Sequence, residues 1–305
     1  MSQGGSLDFS STRGGARLAQ KLRRFLSRED LRQHPLKGIY SRFAWRLRWR
    51  VSRAPWLVHT NDGLPLLILD SGVGALIYFQ GASDPELAGF IKHFLKPGMV
   101  FVDVGAHLGE YTILAATIVK DRGCVHAFEA RADTFEILRR NVELNRLTNV
   151  RAQPWAAWSE EGFCAFEKTP DPSVSALRPG QSQIEGGPLV KVKTVTLDRY
   201  FADSGAARPD LIKIDVEGAE LEVLKGARSV LSSPLAPALI VEYGLRRTAH
   251  FGHTPDEGCD FLKAMGYEIY QWNGAGCLTP VRGRPVLPAT CTSCNLLATK
   301  TALSG

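Results

Sequence analysis

Met99-Val100-Phe101-Val102-Asp103-Val104 is apolar at five of its six positions and runs directly into Gly105-Ala106-His107-Leu108-Gly109. A short, nearly uninterrupted apolar run reads as a strand buried on both faces, and a glycine-bearing turn that opens a helix is how such a strand leaves a parallel sheet. The pattern then repeats. A helix is expected from Gly109 to Lys120, a strand from Cys124 to Phe128, a helix from Ala132 to Asn145 and a strand from Val150 to Ala156. Later come a strand Leu211 to Val216, a helix Ala219 to Leu231, a strand Ala238 to Tyr243, a helix Pro255 to Met265, a strand Tyr267 to Trp272 and a last strand near Asn295 to Ala298. Strands alternating with helices predict an α/β fold with a doubly wound, mostly parallel sheet.

Phe163 to Val195 breaks this rhythm with Pro170, Pro172, Pro179 and Gly186-Gly187-Pro188, and is read as an inserted loop or hairpin placed to serve as a lid. The expected organisation is a disordered start over 1–15, a basic helical arm over 16–57, a leading segment over 58–96, and the main domain over 97–305. In the leading segment, apolar stretches between Val58 and Phe79 alternate with Asn61-Asp62-Gly63 and Asp70-Ser71-Gly72 and predict a β-hairpin extension. Asp84-Pro85-Glu86 begins a helix that runs to about Leu95.

Charge is unevenly placed. The chain carries a net +6, yet Arg13 to Arg53 holds thirteen Lys/Arg against Glu29 and Asp30, so the remainder is net acidic. Basicity therefore describes the arm and not the domain. Within the arm, Leu18, Leu22, Phe25 and Leu26 recur at helical spacing, and Phe43, Trp45, Leu47 and Trp49 interleave the arginines of a second helix. Packing on the domain is the first reading of this arm, a peripheral contact with an anionic membrane surface the second, and nucleic acid the last. No apolar run reaches spanning length, and Met1 to Ser11 lacks a signal-peptide pattern, so a cytoplasmic protein is expected. Six scattered cysteines are read as reduced, and Cys291 and Cys294 as structural, because a zinc site would need a second ligand pair. No metal site is assigned.

Ligands of open α/β sheets bind beyond the carboxyl ends of the strands. At the first such end Gly105 lets backbone approach a ligand, and Gly109 opens a helix whose free N–H groups favour a carboxylate. A dinucleotide site would show G-x-G-x-x-G, whereas this loop has two glycines four apart. Asp103 beside it suits an ammonium better than a pyrophosphate, so the expected ligand tail is an amino acid. Glu129, 24 positions after Gly105, has the spacing of a ribose-binding acid. Strand alternation through Lys213, Asp215 and Glu217 puts two carboxylates at the catalytic edge, where they could position a hydroxyl, remove its proton, hold a metal, or cap the following helix. Glu242 ends the next strand as a third candidate, and His107, His250 and His253 are further candidate bases.

Phe101 to Gly109 with Tyr111-Thr112, Phe128-Glu129-Ala130, Asn141 to Asn145, Thr196-Leu197-Asp198, and above all Lys213-Ile214-Asp215-Val216-Glu217-Gly218-Ala219-Glu220 with Leu224-Lys225-Gly226-Ala227, resemble the FkbM family of S-adenosylmethionine-dependent methyltransferases. The resemblance runs from about Pro97 to Glu242. It implies a class I methyltransferase (Rossmann-like) sheet, S-adenosylmethionine as cofactor, and methyl transfer to the oxygen of a sugar, glycan or small secondary metabolite. It further implies Asp103, Gly105 and Gly109 at the methionine end, Glu129 at the ribose, and Asp215 and Glu217 near the acceptor; His107 is counted with the cofactor-binding loop by its place in it, and Glu242 stays a catalytic candidate by its strand end. Where the family often has Asn after Gly-Ala, this chain has His107. Two other readings stand beside this one. Nucleic-acid methylation is suggested by the basic arm but lacks the Pro-Pro block such enzymes use on base amino groups, and a non-catalytic cofactor-binding scaffold would not need the acidic block.

Overall fold

The computed structural model describes residues 35–167, 176–178, 189–233, 235–245, 248–273, 277–287 and 291–301. The disorder expected over 1–15, the first basic helix from Arg17 and the prolines of the insert lie outside these residues. The chain divides into two units, residues 1–54 and 55–305. In the first, helix α1 (Pro35–Val51) carries the aromatic and basic stretch, with Trp45 and Trp49 edge to face at 5.4 Å.

The second unit opens with one antiparallel hairpin, β1 (Trp56–His59) and β2 (Pro65–Ile68). The second hairpin expected before Phe79 is instead helix α2 (Gly72–Gln80). Its apolar run Ala75-Leu76-Ile77-Tyr78-Phe79 has no alternation to divide between two faces of a sheet. The turn signal at Ser71 is a helix cap, whose Oγ accepts from Gly74 N at 3.0 Å. Helix α3 (Pro85–Phe94) follows, with Asp84 accepting from Glu86 N and Leu87 N at 3.0 Å each.

The main sheet is then built from β3 (Val100–Val104), α4 (Glu110–Val119), β4 (Cys124–Phe128), α5 (Ala132–Leu144) and β5 (Val150–Gln153). The expected strand to Ala156 is interrupted, and Ala156–Ala157 form a short β6. The described parts of the insert are strands β7 (Gly162–Glu167), β8 (Ala176–Arg178) and β9 (Leu189–Val195), which with β6 make a separate four-stranded sheet in the order β6-β9-β7-β8. Helix α6 (Leu197–Ser204), not anticipated from periodicity, starts at Thr196, whose hydroxyl accepts from Arg199 N. Next come β10 (Leu211–Ile214), α7 (Glu220–Lys225), α8 (Arg228–Ser232), β11 (Ala238–Gly244), α9 (Pro255–Ala264), β12 (Glu268–Trp272), β13 (Leu278–Pro280) and β14 (Ser293–Thr299). The single helix expected over 219–231 breaks at Gly226, which runs so close to the Trp158 carbonyl that a Cβ would lie 1.9 Å from its oxygen.

The eight-stranded sheet has the order β13-β12-β14-β11-β10-β3-β4-β5. From β11 to β5 all neighbours are parallel, and β14 runs antiparallel between β11 and β12. This is the doubly wound, mostly parallel sheet that the alternation of strands and helices predicts. The chain leaves β3 toward β4 and β5 and later returns to β10 on the other side, so the strand order reverses between β3 and β10, where a crevice opens at the carboxyl ends. Side chains alternate across that boundary. Val102, Val104, Ile212 and Ile214 pack with Leu197, Val223 and Leu224, while Phe101 and Leu211 pack on the other face with Leu87, Ile91 and Leu114. Asp103 and Lys213, register partners on β3 and β10, share that second face.

Candidate active site

The loop after β3 is shaped by backbone as much as by side chains. Gly105 has φ 77°, and a Cβ there would meet the carbonyl oxygen of Asp215 at 1.9 Å. The loops following β3 and β10 are thus pressed together across the switch point, tied by Asp215 N donating to Val104 O at 3.1 Å. His107 has φ 50°, a left-handed conformation that Asn, Asp and His adopt more readily than most residues, which accounts for His standing where the FkbM pattern often has Asn. Its N–H donates to Glu129 Oε2 at 2.8 Å.

Gly105, His107, Phe128, Glu129, Trp155, Asp215 and Glu217 line a cleft of about 700 Å³ that opens to solvent. Glu129 is buried in its wall, with Oε1 accepting from Arg131 N at 2.8 Å. Burial pushes its carboxyl up to about 7, against the pull of the two backbone N–H groups. Each carboxylate oxygen keeps a second lone pair for a ligand hydroxyl. Val73 from α2, Trp155 from the turn between β5 and β6, and Phe166 from β7 complete the apolar side of the cleft. None of the three is singled out by the sequence, because each belongs to an element that reaches the cleft only through tertiary packing.

Two of the expected ligand-binding residues, Asp103 and Gly109, lie apart from the cleft lining. Asp103 is fully buried and does not line the cleft. It does face an ammonium, but that of Lys213, whose Nζ lies 3.7 Å from Oδ1, while Thr112 Oγ1 donates to Oδ2 at 2.7 Å. Gly109 is also away from the cleft lining. A Cβ on it would lie 2.4 Å from Leu138 Cδ1, so its place is set by the packing of α4 against α5.

Lys213 also reaches Asp215 Oδ2 at 3.2 Å. Burial opposes its charge, but Asp215 and Asp103 together outweigh that and hold the ammonium above its ordinary value. Burial pushes Asp103 up despite Lys213 and Thr112. Strand alternation does not continue to Glu217, as expected from sequence, because β10 ends at Ile214 and Glu217 sits in a turn at φ 60°. Glu217 nevertheless lines the same cleft as Asp215. Glu220, the first residue of α7, ties this turn down: its Oε1 accepts from Val216 N at 3.2 Å and Gly218 N at 3.0 Å.

Asp215 faces a second cavity as well, of about 840 Å³, with Asp84, Glu242, Trp272, Ser293 and Asn295 in its wall. Glu242 reaches it from β11, opposite Asn295 of β14. Burial, then Asp215, Glu220 and Glu217, push its carboxyl up to about 9, so at neutral pH it keeps its proton and can donate. Asn295 Nδ2 donates to Asp84 Oδ2 at 3.1 Å and fixes the far wall. The remaining candidates stand apart. His253 Nε2 is 2.8 Å from Glu222 Oε1 and lines neither cavity, and the side chain of His250 lies outside the described residues. Cys291 and Cys294 border the second cavity, with Cys294 Sγ accepting from Gln271 Nε2 at 3.7 Å. Among the described residues no group of three His, Cys, Asp or Glu could hold a metal ion, and no helix is long and apolar enough to cross a membrane.

Asn141, part of the sequence pattern but assigned no role there, clamps the loop from behind. Its Nδ2 donates to Leu67 O at 3.0 Å and Leu108 O at 2.8 Å, and its Oδ1 accepts from Leu67 N at 2.6 Å.

A family model described as Methyltransferase FkbM domain matches residues 103–269. The hexuronic acid methyltransferase AglP of Haloferax volcanii is 31% identical over 134 residues, 44% of this chain and 52% of that protein. The 31-O-demethyl-FK506 methyltransferase FkbM of Streptomyces tacrolimicus is 29% identical over 159 residues, 43% of this chain and 60% of that protein. The chain spans about half the length of the first of these curated relatives and somewhat more of the second. A solved methyltransferase FkbM from Methylobacillus flagellatus has 16% identity and a TM-score of 0.41, covering 76% of this chain and 56% of that one.

Proposed function

The chain belongs to the FkbM methyltransferase family, and on that premise we propose that it methylates a hydroxyl oxygen, with the donor in the 700 Å³ cleft and the acceptor in the second cavity. The observation that carries this reading is that Asp215 lines both spaces. S-adenosylmethionine is the family's cofactor and supplies, when bound, a methyl group already activated on a cationic sulfur.

The residues of the cleft suit that group. Glu129 offers lone pairs to ribose hydroxyls, Phe128, Trp155 and Phe166 offer an apolar wall to the adenine, and the bare backbone at Gly105 admits the methionine end. Asp215, held by Lys213, accepts a hydrogen bond from the acceptor hydroxyl and takes its proton, while S-adenosylmethionine, held by Glu129 and the backbone at Gly105, would supply the methyl group. Glu242, whose carboxyl is raised by burial, is placed in the same cavity to donate to the acceptor. Glu217 closes the cleft wall beside Asp215. Alignment of oxygen with the methyl carbon supplies most of the acceleration.

The acceptor is best read as an uncharged polyol such as a sugar or a hydroxylated metabolite. Asp84, Glu86, Asp215 and Glu242 bring four carboxyls to the second cavity, and the Lys213 ammonium is already shared between Asp103 and Asp215. A carboxylate-bearing acceptor would enter against the charge of Asp84, Glu86 and Asp215, with Glu242 protonated beside them. The test compares Asp215→Asn with the parent by calorimetry and by turnover on a panel of neutral and uronic-acid glycosides. Retained S-adenosylmethionine affinity with turnover reduced at least about a hundredfold is expected, with neutral acceptors preferred. Loss of donor binding in a folded variant overturns the division of roles, and preference for uronic acids overturns the acceptor class.

A further inference from the structure

Helix α1 presents an exposed face that is both apolar and basic. At 3.6 residues per turn, Arg46, Ile39, Arg50, Phe43, Leu47, Tyr40 and Val51 follow one another around the axis within an arc of about 140°, and all seven are exposed. Tyr40 is 72%, Phe43 64% and Val51 77% exposed. Trp45 and Trp49 occupy the other side, where Trp49 is buried. The exposed arc is therefore distinct from the tryptophan side of the helix. Its apolar residues recur at 40, 43, 47 and 51, the spacing of one continuous stripe, and Arg46 and Arg50 run along its edge.

We propose that this face of α1 docks on an anionic lipid bilayer, with Tyr40, Phe43, Leu47 and Val51 entering the headgroup boundary and Arg46 and Arg50 meeting lipid phosphates. Charge and apolarity together select this occupant. Nucleic acid would satisfy the arginines but bury none of the stripe. A second copy of the chain would bury the stripe but bring another segment with a net +11 over residues 13–53 against the first. A bilayer with acidic headgroups satisfies both. The proposal does not depend on the methyltransferase reading.

The full chain is sedimented with phosphatidylcholine vesicles and with vesicles containing about a third phosphatidylglycerol. Binding at least about tenfold tighter to the acidic vesicles, weakened by salt, is expected. The triple variant Phe43→Ser, Leu47→Ser, Val51→Ser and the pair Arg46→Glu, Arg50→Glu should each lose at least about tenfold of that affinity with an unchanged thermal midpoint. If the triple variant fails to fold, the charge pair decides alone. Absence of vesicle binding by the parent chain, variants that bind as well as it does, or salt-sensitive capture by a duplex oligonucleotide with vesicles ignored would each overturn the proposal.

Discussion

The carbonyl oxygen of Asp215 occupies the space beside Gly105 so closely that a Cβ on the glycine would lie 1.9 Å from it. A backbone contact joins the loop after β3 to the residue that faces both cavities, and the φ of 77° at Gly105 adds a second demand for glycine.

Gly105→Ala should lower stability by at least about 2 kcal/mol and weaken S-adenosylmethionine binding at least about tenfold. Gly63 provides the control, because it has a similar φ of 75° and nothing within 4 Å of an added Cβ. Gly63→Ala should cost about 1 kcal/mol and leave binding unchanged. Urea melts and calorimetry on the two variants separate strain from the clash with Asp215. Equal effects in both variants would show that the contact does not matter.

Lys213→Met leaves the fully buried Asp103 facing Asp215 without the shared ammonium. Removing one partner of a buried charged group costs about 3–5 kcal/mol. The Asp103 carboxyl, already raised by burial, rises further in the variant. A folded pKa above the unfolded one makes the folded state bind more protons, so stability falls as pH climbs through that window. The loss should therefore be greater at pH 8 than at pH 5, and adding Asp103→Asn should recover part of it. A loss independent of pH would argue that Lys213 contributes packing alone.

Glu242→Gln tests the protonated carboxyl of the second cavity. With the folded pKa near 9 and the ordinary value at 4.5, the parent loses stability between those limits as pH rises, while glutamine has no proton to lose. The variant should gain on the parent with increasing pH across that interval, by up to about 1.4 kcal/mol per pH unit. Thermal melts at pH 5, 7 and 9 read the difference. A constant gap would place the Glu242 carboxyl in an ordinary, solvated environment.

Much of the sheet is legible in the sequence because its strands are short apolar runs between turn signals, and the strand expected from Cys124 to Phe128 agrees to the residue. The family resemblance is likewise carried by local blocks. Elements whose ends are decided by side-chain caps are harder. Ser71 opening α2 and Thr196 opening α6 make short-range hydrogen bonds that a turn or a helix start can use equally.

The site divides along the same physical line. Local sequence is enough to say which residues come to the carboxyl ends of β3, β4, β10 and β11, since a parallel strand delivers its last residues there whatever surrounds it. What each of them faces is set only when the fold closes. Asp103 and Asp215 belong to neighbouring strand ends, yet one is buried against Lys213 and the other opens to two cavities, because burial and pairing depend on elements far away in the chain.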